Sequence, residues 1–125
     1  MNFCRARWAD DWFRALEAVV FPVIDGNRKE NQRRVRVALL DTGVDTTHRE
    51  IKHALEQKKI VAYRGFPDSL DPLQDSTGNG THGASVLLKT APNSALYVAR
   101  IVDDEGKISN CMETVRVRPP FCERA

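Results

Sequence analysis

The chain has no apolar run long enough to span a bilayer. Its opening stretch, Met1 to Asp11, carries arginines and aspartates where a secretory signal would carry an apolar h-region. Neither a membrane span nor a cleaved signal is expected, and the expectation that follows is a soluble protein in a cytoplasmic or otherwise intracellular setting. Cysteine is scarce. Cys4, Cys111 and Cys122 form neither an even set nor a Cys-x-x-Cys pair, which argues against a disulfide framework or a thiolate metal site and for reduced thiols. An excess of one charge is missing too: 19 basic against 17 acidic residues leave a net charge of only +2, so no polyanion-binding surface and no nucleic-acid partner are expected. Arg28, Lys29, Arg33, Arg34 and Arg36 are the densest basic cluster, but Glu30 and Asn31 interrupt it and no aromatic interleaves, so it reads as solvated surface. No internal repeat is present.

What remains is an ordinary globular composition, 42% hydrophobic over 125 residues, enough for one domain with one core. Trp8, Trp12, Leu16 and Val19 or Val20 recur at helical spacing, with Asp10 and Asp11 in the expected first turn, and Pro22 is expected to end that amphipathic helix. Asp25 to Arg34 is almost wholly polar and reads as a linker. From Val35 to Leu40 a short, β-favouring run is apolar on both faces, as a strand inside a parallel sheet tends to be. Thr47 and Glu50 make a capping-box pattern for a helix carrying Ile51, Ala54 and Leu55, followed by a second strand near Ile60 to Tyr63. Strand, helix, strand predicts a βαβ unit.

The Pro-, Asp-, Ser- and Gly-rich stretch from Gly65 to Gly80 predicts a long surface loop. Ala84, Leu87, Leu88 and Ala91 then share one helical face until Pro92, and Leu96 to Val102 returns as an apolar strand. Together these elements predict an α/β fold around a parallel sheet. Beyond Gly106 the apolar pattern decays, and Pro119-Pro120 argues against a central strand.

Two short runs carry chemistry. Asp41 in Leu39-Leu40-Asp41-Thr42-Gly43 falls at the carboxyl end of the first strand, where open α/β sheets place their ligands. On position alone a turn-capping aspartate is the simpler reading. His82, in Gly78-Asn79-Gly80-Thr81-His82-Gly83-Ala84, opens a helix whose dipole disfavours the imidazolium form. A carboxylate that holds one ring nitrogen protonated leaves the other free as a general base, so the pair needs proximity in space and not in sequence.

The run Asp41-Thr42-Gly43-Val44-Asp45-x-x-His48 and the run Gly78 to Ala84 resemble the aspartate and histidine motifs of subtilisin-like serine peptidases, in that family's order. The resemblance covers roughly Arg34 to Gly106. It implies an α/β, incomplete parallel-sheet (subtilisin-like) domain with βαβ units at 34–107, preceded by an N-terminal helix and charged linker at 1–33 and followed by an irregular tail at 108–125. It implies serine-type hydrolysis of peptide bonds, a polypeptide substrate, Asp41 as the residue orienting the histidine and His82 as general base. No cofactor or metal follows from it, because no calcium-binding loop can be assigned residue by residue.

The departures are as informative. No Gly-Thr-Ser-type turn occurs in this sequence, and Ser69, Ser76, Ser85, Ser94 and Ser109 all lie outside such a motif. Ser85 is three residues from His82, but no oxyanion hole accompanies it. The expectation is therefore a chain that does not hydrolyse peptides alone, its tail reflecting a truncated or altered reading frame. Two alternatives stand beside it. One is a non-catalytic remnant that binds another polypeptide through uncovered apolar surface. The other is a retroviral-type aspartic peptidase built on Leu-Leu-Asp-Thr-Gly, which would be β-rich and dimeric. A metal held by His48 and His53 is disfavoured, since five positions set them on different sides of a helix.

Overall fold

The structure is a computed structural model and describes residues 3–108. Two compact units divide it, the first ending at Arg33 and the second running from Arg34 onward.

The first unit is helical from Phe3 to Gly26. α1 (Phe3–Ala15) runs into one π-helical turn (Leu16–Val20) and then α2 (Phe21–Gly26). Pro22 does not end the helix, contrary to the expectation above. Proline is tolerated in a first helical turn, where its absent N–H would be unpaired anyway. The π turn creates that situation inside a continuing helix: the Phe21 N–H reaches back to the Leu16 carbonyl, and α2 starts afresh with Pro22 in its first turn. Because α1 begins at Phe3, Asp10 and Asp11 sit mid-helix, and Asp11 faces Arg14 at 3.7 Å. Trp12 meets Phe13 edge-on with ring centroids 5.1 Å apart.

The second unit is a parallel sheet with two helices: β1 (Arg36–Asp41), α3 (Arg49–Glu56), β2 (Ile60–Gly65), α4 (Asn79–Thr90) and β3 (Ala95–Arg100). Its order is β1-β3-β2, so β1 and β2 are not neighbours and β3 lies between them. The hydrophobic pattern explains the order. In β3, Ala95, Leu96, Val98 and Ala99 are all buried, as a strand flanked on both edges requires, whereas β1 alternates exposed and half-buried residues along its length. Val35 to Leu40 therefore supplies an edge strand among the described residues, with Leu40 47% exposed.

The core lies between the sheet and α3 with α4. Val44, Ile51, Ala54, Ile60, Ala84, Leu96 and Val98 are buried together, with Val37, Leu39, Leu55, Leu73, Leu87 and Leu88 packed against them. α3 and α4 touch each other, α4 packs on β1 and α3 on β2. The Thr47–Glu50 capping box does not form. The Thr47 hydroxyl and N–H both donate to Asp45 Oδ1, His48 is the N-cap without a side-chain cap bond, and Glu50 is drawn to α4. A parallel sheet with a helix over Asn79–Thr90 removes the β-rich retroviral-type reading. Residues 109–125, where an irregular tail was expected, lie outside the described residues; Ile108 bridges to Val102.

Candidate active site

The parallel register brings the carboxyl ends of the three strands level: Asp41 pairs with Arg100, and Arg100 with Gly65. Asp41 is half-buried at this edge, where ligands of open α/β sheets bind. The Thr42 N–H donates to its Oδ1 at 2.7 Å, so the carboxylate folds back on its own turn. The chain then dives inward. Thr42, Gly43 and Val44 are buried, and the Val44 N–H donates to the Pro72 carbonyl at 3.0 Å. Gly43 has φ +98°, and a side chain there would overlap the Gln74 carbonyl.

α4 starts directly above this turn. The first N–H groups of a helix have no intrahelical acceptor and need outside partners. Here side chains supply all of them. Gly78 N–H donates to Asp75 Oδ1 (3.0 Å), Asn79 N–H to Thr77 Oγ1 (3.3 Å), Gly80 N–H to Thr42 Oγ1 (3.0 Å) and Thr81 N–H to Asp75 Oδ2 (2.8 Å). Gly80 permits the close approach, since a Cβ there would overlap the Gly43 carbonyl. Two hydroxyls complete the joint: Thr42 donates to Asp75 Oδ1 at 2.7 Å and Thr81 to Asp75 Oδ2 at 2.6 Å, while Thr81 Oγ1 accepts the Asp45 N–H at 2.9 Å.

Asp75 is thus the centre of the site's polar structure. Partial burial pushes its carboxyl pKa up, but the Thr81 hydroxyl and N–H, the Thr42 hydroxyl and the Gly78 N–H outweigh burial and hold it down at about 2. The long-loop expectation missed it. A signal was available in the Asp75-Ser76-Thr77-Gly78 run, whose short polar side chains favour turns and helix starts.

His82 follows Thr81 in the first turn of α4 and is exposed. It lines a cavity of about 280 Å³ with Asp45, His48, Asp75, Gly78, Thr81 and Ser85. Asp41 is not part of that lining, and among the described contacts Asp41 and His82 share no hydrogen bond or ion pair. The two motifs are joined through Thr42, Asp75, Gly80 and Thr81 and not through their acid and imidazole.

Ser85, Ser76 and Ser94 each have other hydrogen-bond partners. Ser85 Oγ donates to Glu50 Oε2, and Glu50 Oε1 lies 3.3 Å from Lys89 Nζ; the Ser85 hydroxyl is the main cause holding the Glu50 carboxyl below its ordinary value. Ser76 donates to Asp104 and Ser94 to the Ala91 carbonyl. Ser109, Cys111 and Cys122 lie outside the described residues. His48 caps α3 and His53 stands in its last turn, and among the described residues no three His, Cys, Asp or Glu side chains group as a metal ligand set.

Arg100 supports the edge from beneath. It is only 4% exposed and donates to the carbonyls of Val102 (3.2 Å) and Asp71 (3.0 Å) and to Asp104 Oδ1 (2.7 Å), tying β3 to the loop that follows β2. The Ser76 hydroxyl and then Arg100 hold the Asp104 carboxyl below its ordinary value.

Known proteins are similar to this chain in sequence. The profile of the Subtilase family matches residues 32–118. The chain is 31% identical over 82 residues to a subtilisin of Bacillus pumilus, covering 58% of this chain and 27% of that protein. It is 29% identical over 106 residues to an intracellular serine protease of Paenibacillus polymyxa, covering 74% of this chain and 30% of that one. With the major intracellular serine protease of Bacillus subtilis strain 168 it shares 28% identity over 87 residues, or 59% of this chain and 26% of the relative. In each case the matched region spans less than a third of the relative's length. With well over half of its residues inside the family match, and a parallel sheet that sets an aspartate turn beneath a Gly-Thr-His helix start, the chain belongs to the subtilase family of subtilisin-like peptidases.

Proposed function

We propose that this chain represents the acid-and-histidine portion of a serine-type endopeptidase acting on polypeptides in an intracellular setting, and that the 125 residues by themselves hydrolyse no peptide bond. Asp41 and His82 are the candidates for the orienting acid and the general base. The observation that supports inactivity is the uncoupled state of this pair. A general base in such a site gains its competence from a carboxylate that holds the ring in one tautomer and stabilises the imidazolium. Here the Asp41 carboxylate accepts from its own neighbour's N–H, while His82 faces a cavity shared with Asp45, His48, Asp75 and Ser85. Ser85, the serine closest to His82 in sequence, donates its hydrogen bond to Glu50.

The test is covalent labelling of the purified chain with a serine-directed fluorophosphonate, beside a peptide-hydrolysis assay. No labelling and no hydrolysis are expected, in the unchanged chain and in His82→Ala alike. Labelling that His82→Ala abolishes sinks the proposal.

A second, non-catalytic reading rests on a different observation. β1 and β2 are the edges of the described sheet, and Leu40 on β1 and Val61 and Tyr63 on β2 are each more than two-fifths exposed. An open strand edge beside apolar surface favours pairing with another polypeptide segment. Concentration-dependent sedimentation separates this reading from a monomer with no such affinity.

A further inference from the structure

We propose that Asp75 is the positioning residue of this site: its carboxylate sets the distance between the turn after Asp41 and the helix start that carries His82. This rests on the reading that the turn after Asp41 and the start of α4 belong to one site, and it assigns a role to a residue that neither sequence motif contains.

The argument begins with what each oxygen does. Oδ1 takes the Thr42 hydroxyl from the β1 turn and the Gly78 N–H from the helix cap, while Oδ2 takes the N–H and hydroxyl of Thr81 from the first turn of α4. One planar group thus holds both sides of the joint. The Thr77 hydroxyl also lies 3.2 Å from Oδ1, and the charge-assisted bonds on the two oxygens fix direction as well as separation. The bonded hydroxyls are themselves bridges. Thr42 Oγ1 accepts the Gly80 N–H while donating to Asp75, and Thr81 Oγ1 accepts the Asp45 N–H while donating to Asp75. Each crossing between the two motifs therefore passes through a hydroxyl that Asp75 orients. A neutral amide at position 75 cannot replace it, because its nitrogen accepts nothing and one of the two threonine hydroxyls loses its acceptor.

Packing alone would not hold this geometry. Gly43 and Gly80 meet backbone to backbone, which offers little apolar area, so the polar bonds must supply the attraction at that point. Farther along α4, Ala84, Leu87 and Leu88 anchor the helix to the core whatever happens at its start. The joint and the core are therefore separable, and loss of Asp75 should loosen the first while leaving the second.

The experiment uses the full chain, labelled with 15N and 13C, and reads amide hydrogen exchange together with the nuclear Overhauser contact between the α-protons of Gly43 and Gly80. In Asp75→Asn, exchange at Gly80 and Thr81 is expected to rise on the order of tenfold, as loss of a charge-assisted bond implies. The Gly43–Gly80 contact should weaken, while Leu96 and Val98 in β3 keep their protection. Thr42→Val should reproduce the effect at Gly80, and Thr42→Ser, which keeps the hydroxyl, should restore it. The proposal fails if Asp75→Asn alters Gly78 alone, if β3 opens to the same degree as Gly80, or if Thr42→Ser and Thr42→Val behave alike. Should Asp75→Asn not fold, the two Thr42 variants decide the outcome. None of these readouts requires turnover, so failure here leaves the peptidase reading to its own labelling test.

Discussion

The Thr42 hydroxyl donates to the Asp75 carboxylate at 2.7 Å, joining residues 33 positions apart and locking the turn after β1 to the loop before α4. The same Thr42 hydroxyl accepts the Gly80 N–H, so Asp75 orients a group that bridges the two motifs, and acid is the condition that undoes its hold.

Stability should fall in acid through Asp75. Its carboxyl is held at about 2 in the folded chain against an ordinary 3.8, so the folded state binds the proton more weakly than the unfolded chain does. The resulting stabilisation is complete above the ordinary value and is lost as pH falls through the folded one. Partial solvent exposure screens it to ~1–2 kcal/mol. Thermal melting between pH 5 and about pH 2 should show the loss, and Asp75→Asn should melt lower at pH 7 with a flatter acid limb.

Gly80→Ala should be among the most damaging single-methyl additions. The new Cβ overlaps the Gly43 carbonyl, which is backbone and cannot swing aside, at an expected cost of at least ~3 kcal/mol. Gly83→Ala, on the same helix, would meet only the Leu39 side chain, at 3.6 and 3.9 Å, and should match or exceed the unchanged chain by up to ~1 kcal/mol, as helix propensity predicts. Urea midpoints of the two variants test the contrast.

Replacing Arg100 by Met should cost ~2–4 kcal/mol, because the carbonyls of Val102 and Asp71 lose their donor and Asp104 its cation. Arg100→Lys should recover only part of this, since one ammonium cannot reach three acceptors arranged around a guanidinium fork. Equal urea midpoints for Arg100→Lys and the unchanged chain would show that charge alone suffices.

Ser85→Ala should let the Glu50 carboxyl rise toward its ordinary value, since the Ser85 hydroxyl is the largest cause holding it down; Lys89 would retain the remainder. A folded pKa that is lowered stabilises the chain above the unfolded value and ceases to do so as pH falls through the folded one, so this variant should lose part of its advantage at neutral pH. Carbon-detected titration of the Glu50 side chain measures the change.

Much of the architecture was legible because local chemistry declares it. The apolar runs near Val35, Ile60 and Leu96 became β1, β2 and β3, and the face of Ala84, Leu87 and Leu88 became α4. Where local signals misled, a longer-range arrangement had overridden them. Thr47 and Glu50 have capping-box spacing, yet Glu50 finds better partners in Ser85 and Lys89 on a different helix. Pro22 carries the usual stop signal, yet one π turn lets the helix restart around it.

The family and its two motifs could be read from the residues alone, because short runs such as Asp41-Thr42-Gly43 and Gly80-Thr81-His82-Gly83 encode backbone demands and reactive groups within a few positions. Strand order, the burial of Arg100, the convergence on Asp75 and the separation of Asp41 from the cavity of His82 belong to the tertiary structure. Those features depend on which residues distant in the chain come into contact. Hydrogen bonds and packing fall off within a few ångströms, so their partners are decided only when the sheet and helices have closed on one another.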